Sequence, residues 1–312
     1  MSVPPVDAEI QTLLATADTG VFPVHGLDEV IADPQRYAAL RELPATPADD
    51  RVKVEDLFIP GPGGKLRLRV YRPVTEATLP VILYTHGGAF TYGSPEAEEG
   101  RSLRYAAEAE AVVVSVDYRM APEHPFPAAA DDAYAALVWV AEHAAEIGGD
   151  PERVAVAGGS AGGNIAATTA LRARDLAGPK VVFQALTYPG LDANLASDSA
   201  REFTDTPVLN RAAMEIGWTY YAPENPSTPY ASPLHADDFA GLPPAYVAVA
   251  EVDPLRDEGR AYAERLSAAG VTTELVQVPG AVHGYDLLFP QAKVSERSLA
   301  DQVRALRDAL HA

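Results

Sequence analysis

The chain has 312 residues, 47% hydrophobic and 22% charged, the balance of a globular protein with ample material for a core. A formal net charge of −20 opposes phosphate backbones and anionic lipid headgroups and so argues against nucleic acid as a partner. With no cysteine, disulfides, thiol nucleophiles and thiolate-held metals are excluded, and no apolar run approaches the roughly 18 residues of a membrane helix.

The opening MSVPPVDAEIQ has neither a basic patch nor an apolar run, so it does not read as a secretory leader, and a cytoplasmic location is expected. Short amphipathic helices are predicted over 7–16 and 27–40, after which Pro44 and Pro47 break the chain. A hairpin follows, with strands at 52–59 and 65–71 joined by Gly61-Pro62-Gly63-Gly64. Residues 80–85 (PVILYT) and 111–116 (AVVVSV) are continuous apolar runs, the pattern of strands buried on both faces of a sheet. Between and after them the alternation continues. Helices are expected at 96–109, 128–147, 161–176, 257–268 and 295–311, and strands at 154–157, 181–186, 244–250 and 273–278. This βα alternation predicts an α/β fold. Residues 193–233 break it: they are rich in Pro, Ser, Asp and Asn, with one helix expected at 211–221. The expected organisation is therefore N-terminal cap helices (1–45), a catalytic core (46–192), a cap insertion (193–233) and the rest of the core (234–312).

Residues 158–162 read Gly-Gly-Ser-Ala-Gly, a Gly-x-Ser-x-Gly motif between a predicted strand and a predicted helix. A sharp strand-to-helix turn exposes Oγ of Ser160, and bulk two residues to either side would clash, hence the glycines. The helix N-terminus behind the serine favours developing negative charge. A second glycine cluster, His86-Gly87-Gly88-Ala89-Phe90, follows an earlier buried strand and lets the main chain approach a substrate. The backbone N–H groups of Gly87, Gly88 and Ala161 are the expected oxyanion hole, and His86 is read as structural.

Chain order in such sites is Ser, then Asp or Glu, then His. Asp253 follows the predicted strand 244–250 and precedes Pro254, which disfavours helical geometry there. Glu251 and Asp257 are its competitors. Of the histidines beyond Ser160, His311 lies at the C-terminus and His235 precedes the proposed acid. His283, in the loop after the last strand, is the expected base.

The segments 86–90, 158–163, 253–259 (DPLRDEG) and 283–284, with 117–128 (DYRMAPEHPFPA) and 188–192 (YPGLD), resemble the hormone-sensitive-lipase-like esterases, the bacterial family IV group. The resemblance spans about residues 50–290 in the right order. It implies an α/β-hydrolase fold with a mostly parallel eight-stranded sheet and a helical cap. It also implies hydrolysis of short- to medium-chain acyl esters through an acyl-enzyme, with no cofactor and no metal. A small-molecule ester is the expected partner, and a homodimer is possible through the edge strand 273–278. The chain departs from the family at Gly159, where Asp is usual, and at Ala89, where glycine is usual. An amidase or peptidase on the same triad is one alternative. A non-catalytic ligand-binding protein of this fold is another, although such proteins have lost the histidine that is present here. Tyr92, Phe203, Trp218 and Tyr221 are candidates for the pocket wall.

Overall fold

The computed structural model describes residues 4–16, 27–33 and 46–312. One sheet of eight strands runs through it: β1 (Val52–Gly61), β2 (Gly64–Pro73), β3 (Leu79–Thr85), β4 (Val112–Asp117), β5 (Gly149–Gly159), β6 (Phe183–Thr187), β7 (Ala245–Val252) and β8 (Thr273–Val282). Their spatial order is β1-β2-β4-β3-β5-β6-β7-β8. The β1–β2 and β2–β4 pairs are antiparallel and the others parallel, so the expected mostly parallel sheet is present.

The helices are α1 (Ala8–Thr16), α2 (Leu27–Ala32), α3 (Glu99–Ala109), α4 (Ala128–His143), α5 (Ala161–Asp175), α6 (Asp198–Glu202), α7 (Arg211–Tyr221), α8 (Arg256–Ala268), α9 (Tyr285–Leu288) and α10 (Lys293–Leu310). None among the described residues is long and apolar enough to cross a membrane. Residues 34–40 of the helix expected at 27–40 lie outside the described residues. The helix expected at 128–147 ends at His143, and a 3-10 turn completes it.

The central strands have apolar side chains on both faces because both faces are covered. Val81 and Leu83 of β3, with Val154 and Val156 of β5, join one core cluster with α4, α5 and α8. The intervening Ile82, Tyr84, Ala155 and Ala157 join another, with α3 and α10. This is the period of two of a strand, and each fully buried valine or leucine contributes about 1.5–3 kcal/mol. Strands β5 and β8 outrun their apolar cores. β5 begins at Gly149, and β8 continues through Pro279 and Gly280 to Val282. The register shift between Ala250 and Val252 on β7 pairs Val252 with Val282. Asp253 and His283 therefore leave adjacent strand ends side by side.

Candidate active site

Ser160 sits between β5 and α5 with φ 57° and ψ −125°, a backbone conformation that a serine rarely adopts. The flanking glycines make it possible. A Cβ at Gly158 would lie 2.4 Å from the Gly162 carbonyl oxygen, and one at Gly162 would lie 2.0 Å from that of Thr85. The turn is also pinned by hydrogen bonds: Ser160 N–H donates to Thr187 O at 3.0 Å, and Gly190 N–H to Ser160 O at 3.2 Å. The buried Asn164 side chain donates to the carbonyls of Gly190 and Ala231 at 2.7 and 2.9 Å.

Three side chains from three strand ends meet at this turn. His283 Nε2 is 2.8 Å from Ser160 Oγ, and His283 Nδ1 is 2.8 Å from Asp253 Oδ2. Asp253 is fully buried, and its other oxygen accepts Leu255 N–H at 2.9 Å, which fixes the carboxylate plane. Because a carboxylate only accepts, Nδ1 carries the imidazole proton and Nε2 is left to accept from the serine hydroxyl. Tyr188 packs its ring edge-on to the imidazole, 4.8 Å between centroids.

The rival carboxylates and histidines are engaged elsewhere. Glu251 accepts Gly280 N–H at 2.8 Å, Asp257 accepts Ser199 N–H at 2.9 Å, and His235 contacts Asp192 at 2.8 Å. His86 takes no part in the relay. Its ring stacks on Tyr118 with centroids 4.3 Å apart, and Nδ1 donates to Gly87 O at 2.7 Å. Burial lowers its pKa and keeps it neutral.

The oxyanion loop differs from expectation at one residue. Gly87 N–H donates to Glu98 Oε1 at 2.6 Å, so it is already spent on a buried carboxylate. The N–H groups of Gly88 and Ala161 meet no acceptor among the described residues, and both residues line the space around Ser160. Gly88 has φ 120°, and a Cβ there would lie 1.9 Å from Tyr92 O, so only glycine fits. Ala89 adopts φ 49°, and α7 rests on it through Gly217.

Ser160 lies between two lobes of a cleft. One, about 750 Å³ including its open mouth, is walled by Tyr92, Ala97, Val208, Leu287 and Leu288 and contains His283. The other, about 330 Å³, is walled by Phe90, Met214, Trp218 and Leu255, with Leu209 common to both. Of the four aromatic candidates, Tyr92 and Trp218 line the cleft. Tyr221 stacks behind Phe90 at 3.8 Å, and Phe203 is buried beneath Arg256.

Residues 82–287 match the family described as having the α/β-hydrolase fold. The chain belongs to that family. This α/β hydrolase is 47% identical over 280 residues to "Esterase LipI" of Mycobacterium tuberculosis, covering 88% of this chain and 86% of the relative. It is 42% identical over 321 residues to "Carboxylesterase NlhH" of the same organism, covering 99% and 98%. Among solved structures it is similar to "Bacterial Heroin Esterase", with a TM-score of 0.88 and 39% identity over 99% of both chains. The hormone-sensitive-lipase-like resemblance agrees with these findings.

Proposed function

We propose that this α/β hydrolase is a serine carboxylesterase acting on short- to medium-chain acyl esters of small molecules. Ser160 is the nucleophile, His283 the general base and Asp253 the supporting acid. Ser160 Oγ attacks the ester carbonyl while its proton passes to His283 Nε2. The tetrahedral intermediate collapses, the C–O bond to the alcohol breaks, and the same proton leaves with the alcohol. Water then attacks the acyl-enzyme through the same base, releasing the acid and free Ser160. Asp253 holds the imidazole tautomer and stabilises its cation. The N–H groups of Gly88 and Ala161 bind the oxyanion, each worth about 3 kcal/mol in the transition state.

The observation that carries this reading is the unbroken Ser160–His283–Asp253 relay at the floor of an apolar two-lobed cleft. Relatives named esterase and carboxylesterase support it over most of the chain. The modest lobes favour small esters over long acyl chains. The test is a ladder of p-nitrophenyl esters from acetate to palmitate, with Ser160→Ala in parallel. Turnover highest on the short rungs and abolished in the variant is expected. Full activity in Ser160→Ala would overturn the assignment, and matched p-nitroanilides cleaved as fast as the esters would make it an amidase.

Pairing into a homodimer belongs to the same proposal. Among the described residues β8 is paired on one side only, by β7, and its Leu275 is exposed. Sedimentation at micromolar concentration checks it: a dimer mass lost on Leu275→Lys is expected, and a wild-type monomer would sink it.

A further inference from the structure

The space that a side chain at Gly159 would need is filled from elsewhere. A Cβ at Gly159 would lie 2.9 Å from Nη1 of Arg101 and 3.2 Å from the ring of Tyr188. Arg101 is buried, 6% exposed, and its guanidinium is held by four hydrogen bonds. Nη1 donates to the Tyr84 hydroxyl at 2.9 Å and to Glu98 Oε2 at 3.1 Å. Nη2 donates to the Tyr188 hydroxyl and to Asp286 Oδ1, both at 2.8 Å.

Each partner leads back to the reaction centre. Glu98, 4% exposed, holds Gly87 N–H on its other oxygen, at the peptide next to Gly88. Tyr188 is the ring packed against His283. Asp286 sits on the short helix that follows His283 and is held again by Gln302 at 2.9 Å. Burial pushes the hydroxyls of Tyr84 and Tyr188 well above the usual phenol range, so both stay protonated and donate to Glu98 and Asp286 respectively.

A buried ion pair is poor evidence of stability, because desolvation offsets the attraction. What this one does is fix directions. We propose that Glu98 and Arg101 are positioning residues for ester hydrolysis. Glu98 anchors the Gly87 peptide so that the next N–H, that of Gly88, faces the oxyanion. Arg101 neutralises that carboxylate so that it does not oppose the charge developing nearby. Position 159 is glycine because the guanidinium occupies the volume a side chain would need. This rests on the esterase reading above and on Gly88 as an oxyanion donor.

The test compares wild type, Glu98→Gln, Gly159→Ala and the double variant on p-nitrophenyl acetate. It adds inhibition by phenylboronic acid, which forms a tetrahedral adduct on the serine. Gly87 and Arg101 are held on opposite oxygens of Glu98, and in a glutamine one of those positions is an NH2 that can only donate, so one of the two bonds is lost. In Glu98→Gln, kcat falls about tenfold and the boronate Ki rises by a similar factor, while KM stays within about twofold, the signature of an interaction made in the transition state. Gly159→Ala displaces Arg101 and shows the same split. The double variant loses no more than the worse single one, because both release the same loop. Titration of active serine with a fluorophosphonate, with melting temperatures, separates this from loss of folded protein. Glu98→Gln with kcat and boronate Ki within twofold of wild type overturns the proposal, as does a loss that merely follows the titrated fraction. A wild-type protein that fails to turn over any ester overturns the underlying reading instead.

Discussion

The floor of the cleft, where β5 turns into α5, is set by backbone atoms in contact, whereas the walls contributed by α7 and the Val208–Leu209 turn are set by side chains. At Gly158 and Gly162 a single added carbon meets a carbonyl oxygen at 2.4 or 2.0 Å, and no rotamer change relieves it. At the wall, Trp218 lies against Phe90 at 5.1 Å and Met214 shares the same lobe, and apolar side chains of this kind repack at modest cost. The difference separates two tasks. The chemistry sits where the chain has no freedom, and substrate selection sits where residues can change without disturbing the relay.

Substitutions sharpen or break that division. Asp253→Asn should lower kcat about 10⁴-fold by favouring the wrong imidazole tautomer, with the melting temperature little changed. Stopped assays on p-nitrophenyl acetate together with calorimetry check it, and a loss under tenfold would detach Asp253 from the mechanism. Gly162→Ala should cost at least about 3 kcal/mol of stability, above the usual overpacking range because the clash is with backbone. Melting within a few degrees of wild type would show the floor to be softer than its geometry states. Trp218→Ala should shift preference toward longer acyl chains, with acetate turnover changed by no more than about tenfold and a stability loss of about 3 kcal/mol. Acetate turnover falling as far as in Asp253→Asn would erase the distinction between wall and floor.

The smallest effect concerns Glu258, fully buried under the Leu191 turn, whose N–H it accepts. Burial raises its pKa well above the usual carboxylate range. As pH rises past the unfolded value near 4.3, the unfolded chain releases this proton and the folded chain keeps it, so stability is lost until the folded pKa is reached. Glu258→Gln removes that titration. Its melting temperature relative to wild type should therefore climb as pH rises above the unfolded value near 4.3, and a constant difference would mean that Glu258 is ionised in the native state.

The elbow was readable because its glycines answer a local steric demand, and the order of Ser160, Asp253 and His283 follows from strand ends that apolar runs announce. The strand ends themselves were less readable. Asp150, Pro151, Glu152 and Arg153 precede the buried part of β5 and carry no β signal, and Pro279-Gly280 reads as a turn although β8 passes through it. The Gly87 assignment failed because its partner, Glu98, lies in a helical stretch whose charged residues look solvent-facing in sequence. Arg101 was missed for the same reason. Its partners Tyr188 and Asp286 are 87 and 185 residues away, so only the fold brings them together.

The helix α1 is fastened to the other end of the chain. Asp7 N–H donates to Gly280 O at 2.8 Å, and Glu9 accepts Lys293 N–H across 284 residues. Ile10 is fully buried in a cluster with Val282 and Tyr285. A Cβ at Gly280 would collide with Asp7 N at 2.7 Å. The loop bearing His283 is thus gripped by a segment that leaves the ribosome well before it does. Contacts so distant in the chain are slow to form, and synthesis delivers the nucleophile long before its base. Ser160 is therefore without a base until the strand end that carries His283, 123 residues further on, has been made and has paired with β7.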